Sequence, residues 1–151
     1  MTLELGPGAE FDRIRAIARA LKGHAAGLGD DCAVLPPGDG ALCVSTDASV
    51  EGVHFRLEWI TLEEAGRRAT SAALSDLAAE GADAVAVLVA LVAPRAASEA
   101  DLVALMRGAG DAAAAGGAGV VGGDLCRADG GWTVAVTVLG RAVRPVSRAG
   151  A

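Results

Sequence analysis

The sequence predicts an α+β domain in which a four-stranded mixed sheet carries its helices on one face. Three observations predict it. Apolar residues recur at helical spacing in two capped segments between residues 61 and 115. Apolar stretches at 85–92 and 132–139 read as strands. With 52% hydrophobic residues in 151 positions there is enough apolar material for one core. Aromatics are only 3% and tyrosine is absent, so that core must be built from Ala, Val and Leu, with backbones packed closely around small side chains.

In chain order, Phe11, Ile14, Ile17, Ala18 and Leu21 sit at helical spacing and end at Lys22-Gly23, a helix stop. A glycine-rich turn leads to a short strand at Cys32 to Leu35. Pro36 to Gly40 forms a tight loop and Ala41 to Thr46 a second strand, together suggesting a hairpin. Thr61 with Glu64 is a capping-box pair that opens a helix through Ala65, Ala69, Ala73 and Leu77 to Gly81. Ser98 with Asp101 caps another, through Leu102, Leu105 and Met106 to about Ala115. Between the two helices, Val85 to Val92 reads as a strand covered on both faces or central in its sheet. Val120-Val121 and the alternating Trp132, Val134, Val136, Val138 supply the last strands. There is no internal repeat and no linker long enough to divide the chain. With helices over one face only, the Ala- and Val-rich second face calls for a partner, a second copy or a further domain.

Charge narrows the function classes. The formal charge of −6, a pI near 4.8 and a single lysine, Lys22, leave no basic footprint for nucleic acid. Phosphates can still bind an acidic protein through divalent cations held by carboxylates. Cys32, Cys43 and Cys126 form no C-x-x-C pair and stand at no zinc spacing from His24 or His54, so they read as reduced thiols. Met1 to Arg15 lacks a signal-peptide pattern, and the longest apolar run, Ala84 to Ala93, is too short for a bilayer. A cytoplasmic protein with no membrane partner is the expectation.

The phosphate loops fail on context. Gly117 to Gly122 spells G-x-G-x-x-G but leaves a helix and enters a strand, the reverse of the dinucleotide-binding order, and no Walker lysine exists. The aspartates are more informative. Asp30-Asp31 lie on a glycine turn entering a strand, and spacing does not choose between them. Ser45-Thr46-Asp47 close a strand, where hydroxyls and a carboxylate emerge together. Asp76 lies in a helix among apolar neighbours, where a bare carboxylate would be costly unless a cation or donors met it. Gly122-Gly123-Asp124 end a short strand on glycines that bare backbone N–H groups beside a carboxylate. Each site alone also reads as an ordinary turn or cap. Brought together, such carboxylates would repel without cations, so convergence implies metal.

These residues, with Ala9-Glu10-Phe11, Glu51-Gly52-Val53-His54-Phe55, Leu74 to Ala82 and Ser147-Arg148-Ala149-Gly150-Ala151, resemble the amino-terminal domain of the thiamine-monophosphate kinases, in the aminoimidazole-ribonucleotide-synthetase-like superfamily. The resemblance implies several Mg2+ ions held by Asp31, Ser45, Thr46, Asp47, Asp76 and Asp124. It implies ATP contacts from Gly123, Asp124 and Arg148, a thiamine-phosphate contact from His54, and ATP-dependent phosphorylation of thiamine monophosphate to the diphosphate. No catalytic side chain is required, because the substrate's own phosphate oxygen can attack in line. It further implies a homodimer whose paired sheets form a barrel-like core. This chain departs from the family in having Ala113 to Gly117 where an aromatic residue often precedes the Gly-Gly-Asp strand. It also stops at Ala151, whereas family enzymes continue into a second domain; residues 1–151 are expected to be the ATP- and magnesium-binding amino-terminal domain, with the carboxy-terminal domain absent. The other readings are a related superfamily synthetase acting on another substrate and a non-catalytic nucleotide-binding or dimerisation module.

Overall fold

Local signals set the helix starts. In the computed structural model, which describes residues 9–21 and 38–146, both predicted capping boxes are formed. The Thr61 hydroxyl accepts the Glu64 N–H at 3.2 Å while the Glu64 carboxylate accepts the Thr61 N–H at 2.8 Å. Ser98 and Asp101 reproduce the arrangement at 3.2 and 2.8 Å. Each box satisfies two amide groups that a helix start leaves unpaired. The elements follow as α1 (Ala9–Ala20), β1 (Ala41–Val50), α2 (Leu62–Ala79), β2 (Asp83–Pro94), α3 (Glu99–Ala115), β3 (Gly119–Ala128) and β4 (Thr133–Ala142). No helix among the described residues is long and apolar enough to cross a membrane.

The strands form one mixed sheet in the order β1-β4-β2-β3. β4 runs antiparallel to both β1 and β2, and β2 pairs parallel with β3. A parallel pair needs a crossover, and α3 provides it. Alternation along β4 then decides the two faces: Val134, Val136 and Val138 are fully buried beneath the helices, while Thr133, Ala135, Thr137 and Leu139 point to the other side. Val87, Val89, Leu91 and Ala93 of β2 join the buried layer. Burying side chains of this size is worth about 1.5–3 kcal/mol each.

The small-residue composition has a direct structural consequence where α2 crosses α3. A Cβ on Gly66 would stand 2.0 Å from the Leu105 carbonyl oxygen, and one on Gly108 would stand 1.8 Å from that of Glu63. The two backbones touch, and only glycine fits at either point. Ala65, Ala69, Ala73, Ala109 and Ala113 complete the seam.

Two expectations change. The strand begun at Ala41 continues past Thr46 to Val50, so Asp47 is within a strand rather than at its end. The segment Gly122 to Asp124 does not close a strand either; β3 runs on to Ala128. Valine pairs Val87 with Val120 but Leu88 pairs with Gly122, so Val121 is an extra residue in the register and the strand survives its glycines by bulging. The first strand of the expected hairpin, Cys32 to Leu35, lies outside the described residues; β1 pairs with β4.

Candidate functional site

The register places the candidate residues on named faces. Ser45 lies opposite Val138 and Asp47 opposite Val136, so both belong to the helix-side face of β1. Thr46 lies opposite Thr137 on the face that no described element covers, called the uncovered face below, where the Thr137 hydroxyl donates to Thr46 Oγ1 at 3.1 Å. α2 packs across β1 and β4 and brings Asp76 to the same edge: the Ser45 hydroxyl donates to Asp76 Oδ2 at 2.5 Å. Asp47, two residues along the strand on the same face as Ser45, is about 7 Å further on. Its Oδ1 accepts the Ala48 N–H at 2.9 Å. Ser45, Asp47 and Asp76 thus form one oxygen-rich group at the β1–α2 edge.

The burial expected for Asp76 from its apolar sequence neighbours is not observed. Asp47, Asp76 and Asp124 are all exposed in the chain. For Asp76 the reason is helical geometry: Ala73 and Leu77, four residues apart, face the core, and Asp76 lies on the flank of that stripe. None of the three aspartates has a cationic partner among the described residues, a condition they share with other surface acids such as Glu51 and Glu58. Asp12, Glu63, Asp111 and Asp129 each bridge to an arginine, whereas among the described residues Asp47, Asp76 and Asp124 do not. Two unpaired carboxylates and a hydroxyl are hard oxygen donors of the kind Mg2+ accepts, an ion that keeps several waters and needs few protein ligands. Among the described residues no three His, Cys, Asp or Glu side chains cluster closely enough to hold a metal ion by themselves.

Asp124 is not part of this group. It pairs with Ala90, which pairs with Ala135 of β4, itself opposite Ala48, so Asp124 sits on the uncovered face at the β3 edge. Three strand spacings separate the edges, roughly 14 Å along the sheet. Gly123 has a packing reason that its sequence does not reveal: a Cβ there would stand 1.9 Å from the Val89 carbonyl oxygen. Asp31 and Arg148 lie outside the described residues.

His54 sits in the turn after β1. Its Nδ1 accepts the Val50 N–H at 3.1 Å, and the His54 backbone N–H donates to the Val50 carbonyl at 2.8 Å. A neutral imidazole so held carries its proton on Nε2. The side chain is exposed, so that N–H is available to a ligand. Phe55, the next residue, is buried in the core and anchors the turn. Sequence reasoning missed Thr137, whose place on the polar beat of an alternating strand was its only signal, and Glu51, whose carboxylate accepts the Trp132 N–H at 2.9 Å.

A mixed four-stranded sheet with helices on one face and unpaired acids at its edges defines a class. Residues 29–142 match the family described as AIR synthase related protein, N-terminal domain, and the chain belongs to that family. Within it the relatives are specific. The thiamine-monophosphate kinase of Mycobacterium tuberculosis (strain CDC 1551 / Oshkosh) is 42% identical over 154 residues, covering 98% of this chain and 45% of that protein. The solved structure of AaThiL complexed with AMPPCP and TMP superposes with a TM-score of 0.68 at 26% identity, over 96% of this chain and 47% of that one. The hydrogenase maturation protein HypE in complex with ATP gives a TM-score of 0.77 at 20% identity, over 97% of this chain and 45% of that one, a likeness of fold alone. The chain thus spans about half the length of the relatives it matches.

Proposed function

We propose that this chain is the ATP- and magnesium-binding amino-terminal domain of a thiamine-monophosphate kinase, which phosphorylates thiamine monophosphate to the diphosphate at the expense of ATP. The observation that carries the reading is the pairing of Ser45 with Asp76 across β1 and α2, beside the unpaired Asp47, in a chain 42% identical to an enzyme of that name. Ser45, Asp47 and Asp76 would hold Mg2+, joined by Thr46, Asp31 and Asp124; bound there, the metal would neutralise phosphate charge. Gly123, Asp124 and Arg148 are assigned to ATP. His54 offers its Nε2–H to the thiamine phosphate, and the acceptor phosphate oxygen needs no nucleophilic side chain to activate it.

The distance between the sheet edges bears on how the ligands are used. Magnesium binds oxygen at about 2.0–2.1 Å. One ion cannot therefore take both Asp47 and Asp124 within a single chain. Several ions, or a second copy whose β3 edge meets this β1 edge, reconcile the set. The uncovered face supports a homodimer, because Leu42 and Val44 stand 51% and 58% exposed on it. Exposed apolar area of that kind is what an interface removes from water. A cytoplasmic location fits free thiols and a nucleotide substrate.

The test is calorimetry of ATP binding to the chain with and without Mg2+, followed by titration of thiamine monophosphate. Metal-dependent heat for ATP and saturable binding of the thiamine phosphate are expected. Metal-dependent ATP binding with no response to thiamine monophosphate would favour a related synthetase, and no metal-dependent heat would favour a non-catalytic module.

A further inference from the structure

Glu51 has no role in the site just described, yet it makes the contact from which the His54 turn departs. The β1–β4 ladder runs in register to Val50 opposite Thr133, and continuing it by one step sets Glu51 opposite Trp132. Glu51 donates its N–H to the Trp132 carbonyl at 2.9 Å, as an antiparallel bonded pair should. The return bond differs. In a regular ladder the Trp132 N–H would reach the Glu51 main-chain carbonyl, but here it reaches Glu51 Oε2 at 2.9 Å. The side chain stands in for its own backbone.

That substitution frees the chain to leave the sheet. At Gly52 the backbone turns through a φ of +81°, a conformation that glycine adopts without strain. The Gly52 N–H then donates to the Phe55 carbonyl at 2.8 Å. Val50 meets the returning turn with both of its polar groups: its carbonyl accepts from Val53 at 3.1 Å and from His54 at 2.8 Å, and its N–H donates to His54 Nδ1 at 3.1 Å. Space for the Glu51 carboxylate comes from Gly131, where a Cβ would stand 2.7 Å from Oε2 and 3.1 Å from the Glu51 Cβ. Among the described residues no arginine or lysine bridges to Glu51, so its carboxylate acts as an acceptor for one buried-strand N–H rather than as half of an ion pair.

We propose that Glu51 is a positioning residue for His54: by closing the β1–β4 ladder through its side chain it fixes Val50 so that the Val50 N–H holds His54 Nδ1 and leaves Nε2–H facing the substrate. Glu51 touches neither substrate nor metal. The role of His54 toward the thiamine phosphate rests on the function proposed above; the positioning itself does not.

The experiment reads the imidazole directly. The chain is labelled with 15N-histidine and long-range 1H–15N correlations are recorded at pH 8, with His54→Ala assigning the signal against the one other histidine, His24. In the wild type, and in Glu51→Gln, which keeps an acceptor oxygen, the two ring nitrogens of His54 show the wide separation of a single Nε2–H tautomer. In Glu51→Ala they converge toward the averaged shifts of a free histidine, with the circular dichroism spectrum unchanged. Gly131→Ala, which crowds the carboxylate, gives the same convergence and serves if Glu51→Ala does not fold. A wide separation retained in Glu51→Ala, or in a folded Gly131→Ala should Glu51→Ala not fold, would overturn the proposal, because a merely structural Glu51 changes melting temperature without moving the tautomer. Calorimetry with thiamine monophosphate separates the two readings. Binding about tenfold weaker in Glu51→Ala and in His54→Ala, and within about twofold of wild type in Glu51→Gln, is the magnitude of one oriented hydrogen bond. Tautomer convergence with thiamine-phosphate binding unchanged in both variants leaves Glu51 as the positioning residue and overturns the substrate assignment of His54.

Discussion

The Ser45–Asp76 contact joins residues 31 positions apart, and the proposed cation site is built on it. An exposed Asp with nothing to hold gains little from a hydroxyl 2.5 Å away; one that shares an ion with its neighbours gains orientation. Asp76→Asn keeps size and an acceptor oxygen but removes the charge. It is expected to weaken Mg2+-dependent ATP binding by about ten- to a hundredfold, the range seen when metal-orienting groups are lost. Binding without metal should be unchanged, and calorimetry in both conditions checks it. Equal affinity for wild type and variant in the presence of Mg2+ would remove Asp76 from the ligand set. Thr46 differs from its neighbours at this scale: its hydroxyl accepts from Thr137 on the opposite face, so its side chain does not share an ion with Ser45 and Asp47 unless it rearranges.

Helix starts and the helix seam carry the predictions at the level of elements. Glu64 has its carboxyl held below the usual carboxylate range, first by the Thr61 N–H and then by its hydroxyl. Asp101 is lowered likewise, first by the Ser98 hydroxyl and then by its N–H. A lowered value in the folded state means that the stabilisation is complete above the unfolded value, about 4, and is lost as pH falls through the folded one. Urea unfolding of the wild type should therefore decline below pH 4 more steeply than that of a Glu64→Gln, Asp101→Asn double variant, whose caps do not titrate. Identical slopes would show that the boxes contribute nothing to acid sensitivity. At the seam, Gly108→Ala forces a methyl to within 1.8 Å of the Glu63 carbonyl oxygen unless α2 and α3 separate. Overpacking of this kind costs about 1–3 kcal/mol or more. The melting temperature should fall by several degrees. The exposed bridges between these helices, Arg67–Asp111 at 3.0 Å and Arg107–Glu63 at 3.7 Å, offset little of that.

For the whole molecule, the uncovered sheet face is the open question that a partner answers. Leu42, Val44, Leu88, Val92 and Leu139 share it with Thr46 and Asp124, so whatever covers the face also approaches two of the proposed ligands. If that partner is a second copy, light scattering at micromolar concentration gives a dimer, and Val44→Asp gives a monomer with an unchanged circular dichroism spectrum. A monomeric wild type would count against the homodimer and leave the face to another domain.

Much of this was legible in the sequence because it is local. Both capping boxes are four-residue patterns, the β4 alternation has period two, and the small-residue composition announced a close helix seam. The strand ends were not legible: β1 passes through polar Ser45 to Asp47, and β3 passes through two glycines, because ladder bonds to β4 and β2 hold those segments extended regardless of propensity. The aspartates were recognisable as unusual, and their motifs resembled one kinase family, but their grouping was not recoverable from spacing. Sequence alone determined the helix caps and the order of the described helices and strands, and its resemblance to one family supplied the candidate ligands. Only the tertiary structure decided that Ser45, Asp47 and Asp76 share one edge while Asp124 lies at the other, and that Glu51 closes a ladder with its side chain. Those facts depend on strand order and register, which are set by which nonlocal faces bury together and leave no trace in the spacing of residues along the chain.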